Sequence, residues 1–141
     1  MKLSEIQDAV DTDLKLDRTE LDIESIRTPE LHNKYFKEYT LHSLNLRKTE
    51  SELKTKTKEK WEYYSGNASP DVYEKDPFDL KVIRQDIPMY LAADVDIKAI
   101  NAKIILQRAT VEYLESVIKQ INNRNWIIRN AIEFLKFKQG I

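Results

Sequence analysis

Asp96-Ile97-Lys98-Ala99-Ile100-Asn101-Ala102-Lys103-Ile104-Ile105-Leu106-Gln107-Arg108-Ala109-Thr110-Val111-Glu112-Tyr113-Leu114-Glu115-Ser116-Val117-Ile118-Lys119-Gln120-Ile121 is the stretch that decides the fold of this chain. Ile97, Ile100, Ile104, Gln107, Val111, Leu114, Ile118 and Ile121 recur at spacings of three and four, the period of an amphipathic helix with a coiled-coil seam. Val95, Ile105, Leu106, Ala109 and Val117 add apolar surface outside that seam, so one partner helix would not cover it. Asp94 or Asp96 is positioned to cap the helix, which is expected to run to about Asn122. Asn122-Asn123-Arg124-Asn125 is expected to interrupt it. The last segment, Trp126 to Lys138, carries Ile127, Ile128, Ala131, Ile132, Phe134, Leu135 and Phe137. It is too apolar to stand alone in water and is expected to pack between subunits.

Upstream, Thr28-Pro29 is a helix start signal, with Thr as N-cap and Pro at the first helical position. No Gly or Pro follows from Glu30 to Tyr64, so one long helix is expected. Tyr35, Tyr39, His42, Leu46, Thr49 and Leu53 form its seam, widened by Leu31, Leu41 and Leu44. Beyond Leu53 the seam positions are Lys56 and Lys60, and the apolar stripe is expected to end there. Residues 4–11 suit a short helix with Ser4 as cap, Gln7 at capping-box spacing and Ile6, Ala9 and Val10 facing inward. A second helix is expected from Thr19 to Arg27. Ser65 to Asp79, with Gly66, Pro70 and Pro77, reads as a loop. Leu80 to Leu91 reads as an irregular helix or an extended arm, with Pro88 pushing Ile87 toward extended geometry. The expected fold is all-α, with long helices carrying coiled-coil-like seams.

Composition narrows the function classes. The 141 residues include 33% charged side chains, two glycines, four prolines and no cysteine, with a formal charge of −1. Few turns favour long elements. Disulfides, thiolate catalysis and cysteine metal sites are excluded. Neither a signal-peptide run nor a stretch of roughly 20 apolar residues is present, so a soluble, cytosolic protein without a membrane partner is expected. His32 and His42 are ten residues apart, roughly 15 Å along a helix, and cannot share a metal. Asp11, Asp13 and Asp17 resemble a calcium loop only faintly, because Leu16 occupies the position that needs Gly and Lys15 a ligand position. They suit helix-flanking acidic caps better. No Ser-His-Asp or Cys-His arrangement and no glycine-rich phosphate loop occurs, so neither an enzyme nor a cofactor is expected.

One segment stands apart from this near-neutral background. Lys54, Lys56, Lys58 and Lys60 alternate along the chain, and Trp61, Tyr63, Tyr64, Ser65 and Gly66 follow directly. Lysines neutralise phosphates and aromatic rings stack on unpaired bases, which is what single-stranded nucleic acid requires. The bland reading is equally concrete. On a helix, Lys54 and Lys58 form one stripe and Lys56 and Lys60 another. Lys58 then pairs with Glu62 in water, and the aromatics pack a helix end under the loop. A sequence pI near 6.2 is low for a nucleic-acid-binding domain, so cations would have to be concentrated by oligomerisation.

Lys58-Glu59-Lys60-Trp61-Glu62-Tyr63-Tyr64-Ser65-Gly66 resembles the basic-x-basic-apolar-acid-Tyr-Tyr-Ser-Gly motif of the UvsY family, recombination mediators of T-even-type bacteriophages. Asp71-Val72-Tyr73-Glu74-Lys75, Leu91-Ala92-Ala93-Asp94-Val95-Asp96-Ile97 and the Arg124-Asn125-Trp126-Ile127-Ile128-Arg129 region are similar to further family patterns in the same order. The resemblance implies a non-enzymatic accessory protein in the cytoplasm of an infected bacterial host. It implies a ring of six or seven subunits that binds single-stranded DNA, the phage single-strand-binding protein and a RecA-like recombinase. It further implies that the recombinase is loaded in place of the binding protein. The family's paired basic residues fall on Lys58 and Lys60, the latter standing where the family carries Arg. Its assembly region falls on about residues 97–138, including Ile97, Ile100, Ile104, Val111, Leu114, Ile118, Ile121, Trp126, Ile128, Ile132, Phe134 and Leu135. On this reading residues 1–80 form an N-terminal helical region carrying the strand-binding motif at 54–66 and the following loop. Residues 81–141 form an extended or irregular segment and a C-terminal helical oligomerisation region. The competing reading is a coiled-coil scaffold or adaptor without nucleic-acid binding.

Overall fold

The computed structural model describes all residues, 1–141. The chain is all-α. Its elements are α1 (Leu3–Asp13), α2 (Leu21–Ile26), α3 (Thr28–Tyr64), α4 (Pro70–Lys75), a 3-10 turn (Arg84–Asp86), α5 (Ile87–Ala93) and α6 (Val95–Lys138). The residues group into two compact units, 1–43 with 109–141, and 44–108. Helices α3 and α6 contribute to both. No helix is long and apolar enough to cross a membrane.

In the first unit, the seams of α3 and α6 meet under α1. Ile6, Leu31, Tyr35, Leu114, Val117 and Ile121 form the core, with Val10, Leu14, Tyr39, Tyr113 and Ile118 packed around it. The start of α1 differs from expectation. The helix begins after Lys2, and the Glu5 carboxylate, not Gln7, accepts the Lys2 N–H at 3.0 Å. Two of the acidic residues that follow have protein partners. Asp13 accepts from Lys34 Nζ (2.6 Å) and the Tyr35 hydroxyl (2.8 Å), and Asp17 accepts from the Thr19 N–H and hydroxyl.

Two helix boundaries are corrected. Asn122-Asn123-Arg124-Asn125 does not interrupt α6, which is continuous to Lys138. Ile121, Arg124 and Ile128 are all buried at i, i+3 and i+7. They extend the inward face across the asparagines, whose helix propensity lies within about 0.7 kcal/mol of Ala and is overridden by burial. Arg124 holds that passage. Its Nη2 donates to the Glu24 carbonyl (2.7 Å) and its Nε to Thr28 Oγ1 (3.2 Å). Thr28 is therefore the first residue of α3 and an acceptor for Arg124, rather than a cap. The second correction concerns Ile87, which is helical (φ −56, ψ −42) despite preceding Pro88. Pro88 lies in the first turn of α5, where its missing N–H is not needed.

The second unit is built on the C-terminal part of α3 and the N-terminal part of α6. Thr49, Tyr63, Ile87, Ile97 and Ile104 are buried there. The segment expected to be a loop contains α4, which opens on Pro70 after the extended Ser69. Helix α3 closes on Gly66 at φ +81, a left-handed conformation that favours glycine. The Gly66 N–H donates to the Tyr63 carbonyl and the Asn67 N–H to the Glu62 carbonyl, the paired bonds of a Schellman cap.

Candidate nucleic-acid interface

Because residues 54–66 are helical up to Tyr64, the four lysines divide into two faces, as a period of 3.6 requires. Lys54 and Lys58 point to solvent. Lys56 and Lys60 are half-buried. Lys58 Nζ lies 4.0 Å from Glu62 Oε1, and its side chain is 81% exposed. An ion pair that long and that wet holds the ammonium weakly. Lys54 has no ion-pair partner. Lys56 pairs with Glu59 at 3.1 Å. Trp61, three residues after Lys58, presents its ring on the same outer face and is 36% exposed. Ser51 and Arg47 continue this face toward the N-terminus. Both are exposed, and the Arg47 guanidinium has no ion-pair partner. Sequence reading missed Arg47, although its position seven residues before Lys54 places it on the same stripe.

Lys60 has a different environment. Its Nζ lies 2.9 Å from Asp96 Oδ2 and 3.3 Å from Asp94 Oδ2, and its side chain is 15% exposed. Asp94 is the junction of this part of the unit. Its Oδ1 accepts the N–H groups of Asp96 (2.9 Å) and Ile97 (3.0 Å), capping α6. Its Oδ2 accepts the Tyr64 hydroxyl at 2.6 Å. Burial alone would raise the Asp94 pKa. The Tyr64 hydroxyl, the Ile97 N–H and Lys60 outweigh burial and hold it below the ordinary carboxylate range. Burial likewise opposes the Lys60 charge, but hydrogen bonds to Asp96 and Asp94 prevail and raise its pKa. Tyr64 is pushed up to about 12, first by burial and then by its bond to Asp94. The apolar seam of α3 therefore does not end in water. It passes into a buried polar contact, where a lysine on one helix meets the capped start of another.

The tyrosines complete this contact. Tyr63 stacks on Tyr73 (5.4 Å between centroids), while Tyr64 meets Phe78 edge-on (5.2 Å) and Tyr90 at 5.5 Å. The Tyr63 hydroxyl donates to the Asp76 carbonyl at 3.0 Å, and the Tyr73 hydroxyl to the Tyr63 carbonyl at 2.7 Å. Tyr63 and Tyr64 are thus packed under the 65–79 segment, while Trp61 faces out. Of the sequence-predicted residues, the structure brings Lys54, Lys58 and Trp61 onto one exposed face. Lys60, Tyr63 and Tyr64 lie together in the interior contact behind it, and Lys56 lies on the inner stripe with Lys60.

The residues read as an assembly region also separate. Ile97, Ile104, Val111, Leu114, Ile121 and Ile128 are buried within the chain, and Ile100 and Ile118 are half-buried. Trp126 (62%), Phe134 (61%), Leu135 and Ile132 are exposed, as are Ile127 and Phe137. Every residue of α6 after Ala131 is exposed.

Comparison with known proteins agrees with this architecture. The chain is 20% identical over 140 residues to the recombination protein uvsY of Enterobacteria phage T4, covering 99% of each. It shares its fold with crystal forms of the bacteriophage T4 recombination mediator protein UvsY. One matches with a TM-score of 0.86 at 19% identity, covering 99% of this chain and 98% of that one. A second matches with a TM-score of 0.83 at 18% identity, covering 98% and 99%. The family model described as "Recombination, repair and ssDNA binding protein UvsY" matches residues 9–141, and with nearly the whole length accounted for the chain belongs to the UvsY family.

Proposed function

We propose that this chain is a recombination mediator that binds single-stranded DNA as a homo-oligomer. In this reading it promotes loading of a RecA-like recombinase onto DNA covered by single-strand-binding protein, in the cytoplasm of a phage-infected bacterium. The observation that carries the DNA-binding part is the exposed face of α3. Lys54 and Lys58 stand free or nearly free beside Trp61, on a protein with no net positive charge to attract phosphate elsewhere. Ammonium groups there meet phosphates, and the indole offers a stacking platform for a base. Arg47 lengthens the face. Lys60, Tyr63 and Tyr64 act from behind. They fix the end of α3 against the start of α6 and so set the direction in which Lys58 and Trp61 project.

One subunit offers only a few cations, so its affinity is weak. A ring of six or seven copies, joined through the exposed apolar end of α6 at Trp126, Ile132, Phe134, Leu135 and Phe137, repeats the face around an axis. Linked sites raise overall affinity by orders of magnitude without new contacts. A strand wound over such a surface is bent and partly stripped of its previous protein, and a recombinase can then nucleate on it.

The test uses a Trp126→Phe background, which leaves Trp61 as the sole indole. Addition of oligothymidylate at low salt is expected to quench its emission. Lys58→Ala is expected to make the dependence of log affinity on log salt shallower by about 0.7, with the oligomeric mass unchanged by light scattering. Unchanged Trp61 emission and no mobility shift at low salt would leave the scaffold reading in place.

A further inference from the structure

Between α3 and α6, inside the unit of residues 44–108, an open groove of about 400 Å³ lies beside the Lys54–Lys58 face. Its floor is aliphatic: Leu53, Ile104 and Ile105. Its rims are polar. Lys54 stands on one side, and Asn101 and Arg108 on the other. Three features mark it as unfilled in the chain alone. Ile105 is 68% exposed, a large apolar side chain left in water. The Lys54 ammonium and the Asn101 amide have no partner within the chain. Arg108 Nη2 reaches Glu50 Oε1 only at 3.5 Å, with both side chains about half-exposed, a geometry that contributes little to stability.

These groups have the chemistry of a nucleotide. A nucleobase has flat apolar faces and an edge of donors and acceptors. An aliphatic floor suits the face, and a primary amide supplies both a donor and an acceptor for the edge. Two cations against one carboxylate leave the groove net positive, and a guanidinium has five donors, enough to keep Glu50 while bonding a phosphate. The position also fits. Lys54 is one helical turn from Lys58 and two from Trp61, roughly 6 and 10 Å along α3. A strand whose phosphates run over Lys58 and Lys54 therefore arrives at the mouth of the groove.

We propose that this groove is a nucleotide subsite. It seats one base of the bound single strand on Leu53, Ile104 and Ile105, with Arg108 bonding that nucleotide's phosphate from the wall opposite Lys54. The proposal rests on the strand-binding reading of α3 and adds α6 to the DNA-contacting surface.

The experiment measures anisotropy of labelled oligothymidylate against salt for the full-length protein, with oligomeric mass and thermal midpoint checked for each variant. Arg108→Ala is expected to make the salt slope shallower by about 0.7, and Arg108→Lys to restore it. Ile105→Asn is expected to weaken binding to oligothymidylate by about fivefold or more, a modest fraction of what base contacts contribute in such sites. The same variant is expected to match the wild type on an abasic strand of equal length, where there is no base to seat. If Arg108→Ala and Ile105→Asn both bind like the wild type while Lys58→Ala does not, the subsite is refuted and the strand-binding face stands. If Lys58→Ala is also without effect, both readings fall.

Discussion

Replacing Lys60 by Met separates holding the helix from touching DNA. Methionine keeps most of the aliphatic stem in its half-buried slot and removes the ammonium. Two ion contacts are lost, but they are unequal. Asp96 is 60% exposed and readily rehydrated, so its bond contributes little. Asp94 is 4% exposed and cannot be rehydrated without opening the contact. It retains the Tyr64 hydroxyl and two backbone N–H groups, so its charge is not stranded. The loss is therefore one charge-assisted hydrogen bond, about 2 kcal/mol. For a chain of this length that corresponds to a fall in Tm of about 8 °C. Differential scanning calorimetry at fixed protein concentration reads this directly. The salt slope of single-strand binding, measured well below Tm, is expected to equal that of the wild type, because the Lys60 ammonium is engaged by Asp94 and Asp96 rather than free for phosphate. Lys58→Ala is expected to show the converse, a wild-type Tm and a slope shallower by about 0.7. The reasoning is refuted if Lys60→Met melts with the wild type and its slope becomes as shallow as that of Lys58→Ala. Lys60 would then leave Asp94 and Asp96 for phosphate on binding.

Further outcomes follow from other contacts. Arg124→Met removes the buried partner of the Glu24 carbonyl and of Thr28 Oγ1, and is expected to lower stability by about 3 kcal/mol in urea unfolding while leaving the α3 face and its salt slope unaltered. Gly66→Ala meets no steric obstacle but must hold φ +81; a destabilisation of about 1 kcal/mol is expected, and a stabilised variant would contradict the left-handed cap. Asp94, Asp13 and Glu24 all have pKa values held below the ordinary carboxylate range. Their contribution is complete above the unfolded value of about 4 and is lost as pH falls below it through the folded values. The urea midpoint is accordingly expected to be flat from about pH 5 to 7 and to drop below about pH 4, with a smaller drop in Asp94→Asn, itself less stable at pH 7.

Much of this architecture is legible from the periodicity of two segments. The seam positions of α6 from Ile97 to Ile121 are all buried or half-buried, and those of α3 from Tyr35 to Leu53 likewise. Periodicity reports which residues share a face, and burial of that face is what makes such helices stable. It does not report what a face meets. Asn122-Asn123-Arg124-Asn125 reads as a break because three of its four residues are indifferent helix formers and the fourth is charged. The break vanishes because Arg124 finds Glu24 and Thr28, far away in sequence. The same blindness affects the basic segment. Lys58 and Lys60 are two residues apart and chemically alike, yet a turn of roughly 200° sends one to solvent and the other against Asp94 and Asp96. The split into two stripes is computable from the chain. The identity of the partner on the inner stripe is not, since Asp94 is already occupied in sequence terms as a helix cap.

That double duty of Asp94 links the fold to the proposed activity. One oxygen fixes the first turn of α6, and the other receives the last tyrosine of α3. Lys60 balances the charge and is itself 5.4 Å from the Tyr63 ring centroid. The end of α3 and the start of α6 thus share one carboxylate, so Lys58, Trp61 and the groove at Arg108 belong to helices whose relative placement is held at that point. Loosening Asp94 should then disturb Lys58 and Arg108 together rather than either alone. In Asp94→Asn, the salt-slope losses of Lys58→Ala and Arg108→Ala are expected to become smaller, since neither cation is reliably presented to the same strand. Two losses that stay at full size in Asp94→Asn would show that each cation finds its phosphate without the shared junction.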